Sequence, residues 1–374
     1  MELINTTGMQ AGYTQGLQTD GRELLVVVVK GTFAIPEDGE EPTLAEEQVP
    51  LIMADTFVGE PARSSPVYEI DFAPTKKRCD VLLNGTAYAP GGKPTRRMTV
   101  GLKVGGLAKA FDVVGDRVWE AGASGIGPSY AAPFVTKSIS YERAFGGIDD
   151  FHGDPSKHSA YMLNPVGCGY HSELSGGLVD GTPMPNTEER SVPVTQPHRT
   201  YHPMSFGPVG RGWEPRYRLS GTYDQDWLDN VFPFLPADFD DAYYQSAPPD
   251  QQTNHLLGGE EVTLVNLTAD GRRSFRLPKV EVPIVFFPKK GDWKETAAVA
   301  DTLLLEPDAG TFSICWRASL PLKRNMFEIA QVLTGRMSRG WWIAQEVGKT
   351  YYSSLSAAIR ANRGDTVGTV GEEE

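Results

Sequence analysis

The residues best suited to chemistry crowd the middle of the chain. Asp224, Asp226, Asp229, Asp238, Asp240 and Asp241 fall within one short stretch that also carries Trp227 and several prolines. Two carboxylates held at the right separation cleave glycosides, one protonating the leaving oxygen and the other acting as base or nucleophile. The same acids have a plainer use. In "PADFDDAYY", Asp238 and Asp240 stand where the N-terminus of a short helical turn takes an acceptor. Catalytic pairs come from any separation in sequence, so closeness along the chain favours capping over catalysis.

Metal and nucleophile patterns are weaker. His198 and His202 are four apart, but Pro197 and Pro203 flank them and no glutamate follows His198, so the helical zinc motif is missing. Cys168 and His171 would complete four ligands, yet structural zinc sites pair their ligands at tighter spacing. Histidines bonded to loop backbone are the expected state, and no bound metal is expected. Ser124 lies in "GASGIG", where Ile126 replaces the second glycine of a nucleophile elbow and Pro128 prevents a helix behind it. Neither a phosphate loop nor a dinucleotide fingerprint occurs, so no cofactor is expected. The triplet "RGD" at 363–365 and the sequons at Asn5, Asn84 and Asn266 need an extracellular or secretory setting.

What remains is aromatic and arginine-bearing loop. "SYERAFGG" (140–147), "GWEPRYRL" (212–219) and "FPFLPADFDDAYY" (232–244) offer Tyr141, Arg143, Trp213, Arg216, Phe234 and Tyr243 as candidate partner-binding anchors. Tyr, Trp and Arg dominate the energetics of protein interfaces. The competing expectation is that some of them build a second core beneath the long loops.

The elements that must hold these loops read as strands. "ELLVVVVKGTF" (23–33) is the continuous β-branched run of a strand buried on both faces. In "RRMTVGLKV" residues Met98, Val100, Leu102 and Val104 alternate with Arg97, Thr99 and Lys103. "TFSICWRASL" sets Phe312, Ile314, Trp316 and Ala318 against Ser313, Cys315 and Arg317. Hairpins are predicted in "AKAFDVVGDRVWE", around Gly115-Asp116, and in "VTLVNLTADGRRSFRL", at "ADG". Between about 120 and 260 strand patterns thin out among Gly, Pro, His and aromatics. A structureless loop so long is improbable inside a compact domain, so an ordered, loop-rich insertion is expected. Helical spacing of Met326, Ile329, Ala330 and Leu333 predicts a helix over 322–335 with Gly335 as its cap, and "SSLSAAIRANRG" a second. The expected fold is therefore mainly β. A large sandwich-like body spans 1–320, a short helical end 321–362, and a flexible acidic tail 363–374.

Composition bounds the function. With 374 residues, 40% hydrophobic and 22% charged, the chain can bury a sizeable core. A net charge of −13 speaks against a nucleic-acid partner. Cys79, Cys168 and Cys315 are too few and scattered for a disulfide framework. The start lacks a basic segment leading into an apolar one, and no apolar run approaches the roughly 18 residues of a membrane span. Cytoplasmic location, with no membrane contact, is the expectation.

Seven segments in order carry a family resemblance: "YERAFGG", "NPVGCG", "PMPNTEE", "GPVGRGWEPR", "YDQDWLDNVFPFLPADFD", "YYQSAPPDQQ" and "LLGGEEVTLVNL". Together they resemble a bacterial domain-of-unknown-function family encoded beside the VgrG spike protein of type VI secretion systems and beside PAAR-tipped toxic effectors. The resemblance spans about 20–320. It implies a non-enzymatic adaptor or chaperone that holds an effector and promotes its loading onto the VgrG/PAAR spike. The family has no agreed catalytic residues, so none is carried over. A reading of another class is a carbohydrate-active or carbohydrate-binding β-sandwich that uses Trp213, Trp227 and the aspartates.

Overall fold

The computed structural model describes residues 1–123, 125–172 and 176–352. Ser124, the helix expected at 353–364, the "RGD" triplet and the acidic tail lie outside the described residues.

Three sheets form the body. The largest has six strands in the order Gln252–Thr253, Cys79–Leu83, Val299–Glu306, Thr311–Pro321, Glu23–Ala34 and Gln10–Leu17. A five-stranded sheet runs Thr187–Glu189, Leu107–Val114, Arg97–Val104, Glu261–Val265 and Arg272–Arg276. A four-stranded sheet runs Glu2–Asn5, Ile329–Thr334, Pro283–Pro288 and Lys294–Ala297. All three turn one face into a single hydrophobic core. Leu25, Val27, Phe312 and Ile314 enter it from the first sheet, Val100, Leu102, Phe111 and Leu264 from the second, and Ile284, Phe286 and Val332 from the third. The protein is mainly β, as the alternating runs predict.

The period-2 patterns are read out faithfully. Met98, Val100, Leu102 and Val104 lie in the core, as do Phe312, Ile314, Trp316 and Ala318. The strand Glu23–Ala34 is buried on both faces, because Leu24, Val26 and Val28 pack with Phe72 and Cys315 in a second cluster under the chain segment around 51–72. The hairpin at "ADG" forms, pairing Val262 with Phe275 and Leu264 with Arg273.

Two expectations are corrected. Leu107–Val114 forms its hairpin with Arg97–Val104, while Trp119–Gly122 pairs with Gly125–Pro128. Gly115 is no turn but a crossing, where a β-carbon would sit 1.7 Å from the Ala132 carbonyl oxygen. The helix expected over 322–335 is one 3-10 turn, Met326–Glu328, followed by the strand Ile329–Thr334. That strand pairs with Glu2–Asn5 on one side and Pro283–Pro288 on the other. Val332 enters the main core and Leu333 packs beneath Trp341, so both faces are apolar and a short run of this kind fits either period. The helix of the C-terminal end is Arg339–Glu346, capped by Ser338, whose oxygen accepts the Trp341 N–H. Among the described residues no helix is long and apolar enough to cross a membrane.

Candidate functional site

The loop-rich insertion is ordered by cores of its own. Trp119, Phe145, Tyr161, Val179, Met184, Val194 and Tyr201 form one, and Tyr141, Ala144, Val209 and Trp213 another. Three of the six candidate anchors are therefore interior. Tyr141 and Trp213 are buried edge to face with centroids 5.2 Å apart. Arg216 is buried too, donating to the carbonyls of Val209 and Tyr243 and to Glu69. Tyr243 is half-buried, and the guanidinium carbons of Arg211 and Arg216 lie 5.8 and 5.5 Å from its ring centroid. Arg143, half-buried, donates to Asn186 Oδ1 at 3.2 Å. Only Phe234 is open to solvent, at 45% exposure.

Several of the quoted motifs act as polar staples, some within the insertion and some between it and the body. Asn164 of "NPVGCG" is buried and donates to the carbonyls of Tyr141 and Phe145 in "YERAFGG". Gly146 allows the two segments to meet: its φ is 150°, and a β-carbon there would lie 2.1 Å from the Asn164 carbonyl oxygen. Glu188 of "PMPNTEE" is buried and paired with both Arg97 and Arg117. Arg211 holds Asp55 and shares Glu69 with Arg216. Burial works against Arg211's charge, but those carboxylates raise its pKa.

"YYQSAPPDQQ" grips the largest sheet. Gln245 Nε2 donates to Asp80 Oδ1 at 2.7 Å, and the Ser246 N–H to Asp80 Oδ2 at 2.8 Å. Gln251, fully buried, donates to the carbonyls of Val81 and Phe206. Lys109 reaches Gln251 Oε1 at 2.7 Å and Asp250 at 3.1 Å; burial pulls its pKa down against the pull of Asp250. Beneath the staples, on the outer face of the sheet, lie three ion pairs: Lys76–Asp80 and Arg317–Asp301 are buried, and Lys30–Asp71 is largely so. Asp301 is placed by a bulge between Ala300 and Thr302, which adds one residue to the strand and turns its carboxylate to Arg317. The bulge gave no signal in the sequence, so this network was not legible there.

The aspartates are structural in geometry. Asp240 caps the turn Asp241–Tyr244 by accepting the Ala242 N–H, as expected. Asp238 instead clamps Thr222, taking its N–H at 2.9 Å and its hydroxyl at 2.8 Å. Asp224 caps the helix Gln225–Asn230; within it Asp229 accepts from Gln225 and Asp226 from Asn230. Asp241 lies 3.5 Å from Lys77. Of the four metal candidates, His198 and His202 are exposed while His171 is buried between Thr182, 3.1 Å away, and Asp149, 3.6 Å away. Among the described residues no three His, Cys, Asp or Glu side chains gather as a metal site. Burial raises the thiol pKa of Cys79 and Cys315, and pushes that of Cys168 up to about 12.

What faces solvent is an aromatic ridge. Trp227 lies at its centre, its ring 4.8 Å from Tyr223 and 5.6 Å from Phe232, and its indole N–H bonded to the Phe234 carbonyl at 3.0 Å. Phe232 is 62% exposed, and Tyr223, Leu228 and Phe234 are also open. Trp213, being buried, offers no ring face to a ligand.

A family model described as "Uncharacterized protein conserved in bacteria (DUF2169)" matches residues 20–317. No curated protein and no solved structure gives a match. With most of its length so matched, stapling motifs included, the chain belongs to this bacterial family.

Proposed function

We propose that the protein is a non-enzymatic cytoplasmic adaptor that binds a type VI secretion effector and promotes its loading onto the VgrG/PAAR spike. The observation that carries this reading is the division of labour within the insertion. Its acids and most of its polar motif residues are engaged in caps, clamps and staples, while Tyr223, Leu228, Phe232 and Phe234 are presented together to solvent. A fixed apolar ridge on a protein surface suits contact with another protein. The ordered motif series, with its resemblance to adaptors encoded beside spike and effector genes, supplies the kind of partner. The mechanism is stoichiometric: the ridge covers an apolar segment of the effector until docking on the spike releases it.

Co-expression with a candidate PAAR-bearing effector from the same genome tests the proposal. The expected result is a complex that survives gel filtration and a secretion defect when the adaptor gene is deleted. Asp238→Asn and Asp240→Asn should retain the complex. Failure of the pair to co-purify, with binding of the purified chain to soluble oligosaccharides, would favour the carbohydrate reading instead.

A further inference from the structure

A groove elsewhere on the surface shares no residue with the ridge. It has a volume of about 840 Å³ and opens beside the outermost strand of the four-stranded sheet, Lys294–Ala297. Two features of that strand matter: its backbone and its neighbours.

The backbone has an unused side. The Ala298 N–H donates to the Val282 carbonyl at 2.9 Å, which makes Ala297–Pro283 a pair without mutual hydrogen bonds. By alternation, Thr296 and Lys294 direct their N–H and C=O groups inward to Ile284 and Phe286. Glu295 and Ala297 direct theirs outward, and no backbone group among the described residues meets them. All four residues are exposed.

The neighbours are apolar and acidic. Leu257 is 88% exposed, Trp293 50%, and Val299 is open beside them. Trp293 and Trp342 lie with centroids 5.4 Å apart, and Trp342 continues onto Trp341 at 5.0 Å. Glu295 and Glu346 line the same groove, and no ion pair among the described residues engages either. Glu281 there is matched by Arg336 at 2.9 Å. The groove thus carries uncompensated negative charge beside two indole rings, on a chain whose net charge is −13. Indole faces flanked by carboxylates favour a guanidinium or ammonium over a neutral or acidic side chain.

We infer that this groove takes an extended, cationic segment of another protein, which adds a fifth strand at Lys294–Ala297. The segment's backbone would meet the outward N–H and C=O groups of Glu295 and Ala297. Its alternate side chains would fall on the Trp293–Trp342 face, with lysine or arginine between the indoles and Glu295 or Glu346. Strand addition supplies affinity through the backbone and specificity through the alternate side-chain positions. The inference stands independently of the adaptor reading, because it concerns a different surface.

The test uses the full chain and two end-blocked peptides, an alternating (Lys-Val)4 and its acidic counterpart (Glu-Val)4, followed by tryptophan fluorescence and by anisotropy of a labelled copy. The expected result is saturable binding of the cationic peptide and none of the acidic one. Trp293→Ala, Glu295→Lys and Ala297→Pro should each weaken binding at least tenfold. Proline at 297 removes an outward N–H, a position where an edge strand tolerates it. If that variant loses its native circular dichroism, the other two decide. Absence of saturable binding, or equal binding to all variants, overturns the inference; the latter would mark diffuse attraction by net charge. Trp293→Ala should leave effector co-purification through the ridge intact, so the groove and the adaptor reading can fail separately.

Discussion

Truncating Trp213 and truncating Phe234 should have opposite consequences, although both residues sit in aromatic loops of the same insertion. Trp213 is 6% exposed, packs edge to face on Tyr141, and lies so close to Gly210 that a β-carbon there would come within 2.6 Å of the indole. Trp213→Ala removes that burial and leaves a cavity with little freedom to collapse, a loss of about 3–5 kcal/mol. The edge-to-face contact itself accounts for roughly 1 kcal/mol of this. Phe234 keeps 45% of its surface in water, and its ring rests on Gly21. Half-burial of a phenylalanine is worth about 1 kcal/mol, so Phe234→Ala should fold nearly as well as the parent chain. If the ridge is the docking face, the same change should cost roughly 2 kcal/mol in effector affinity, near thirtyfold. The assays are urea unfolding followed by tryptophan fluorescence, and titration of labelled effector against each folded variant. The reasoning is refuted if Trp213→Ala keeps its unfolding midpoint. It is equally refuted if Phe234→Ala loses the effector only in proportion to lost fold.

Two further outcomes follow from the buried charges. Asp301→Ala strands Arg317 without its carboxylate, which it holds at 2.6 Å, and should cost about 3–5 kcal/mol in urea unfolding. The double variant Asp301→Leu/Arg317→Met should recover much of that loss, since replacing a whole buried pair by apolar groups is often neutral; equal instability of both would contradict this. Burial lowers the pKa of His171 below its ordinary value of 6.5, outweighing the opposing pull of Asp149. The unfolded chain therefore binds the proton more readily, so this contribution to stability is complete above pH 6.5 and shrinks as pH falls below it. Stability compared between pH 7.5 and pH 5.5 should drop less in His171→Gln than in the parent chain; an equal drop removes His171 as a source.

The motifs that announce the family are, in space, mostly the means by which the insertion is fastened. Asn164, Glu188, Gln245 and Gln251 each satisfy buried donors or acceptors on a separate stretch of chain. Unpaired groups at those depths would cost more than the bonds themselves contribute, so removing one staple should harm the fold before it harms any surface. The ridge residues Tyr223, Leu228, Phe232 and Phe234 lie within one of these motifs, whereas Trp293 of the groove lies outside all of them.

Local physics was enough for much of the body. Alternation along 97–104 and 311–320, and the unbroken apolar run at 23–33, record which side of a strand meets the core, because side chains alternate with period two. Asp240 as a cap was equally local, since its partner lies two residues away. The sequence alone could not decide 322–335, where Val332 and Leu333 are apolar on both sides and helix and strand compete; pairing with Glu2–Asn5, more than 300 residues distant, settles it. Nor could it separate Tyr141, Trp213 and Arg216, which are interior, from Phe234, which is not. Aromatic and arginine side chains suit a core and an interface equally well. Which they enter depends on what the remainder of the chain packs against them, and only the tertiary structure decides that.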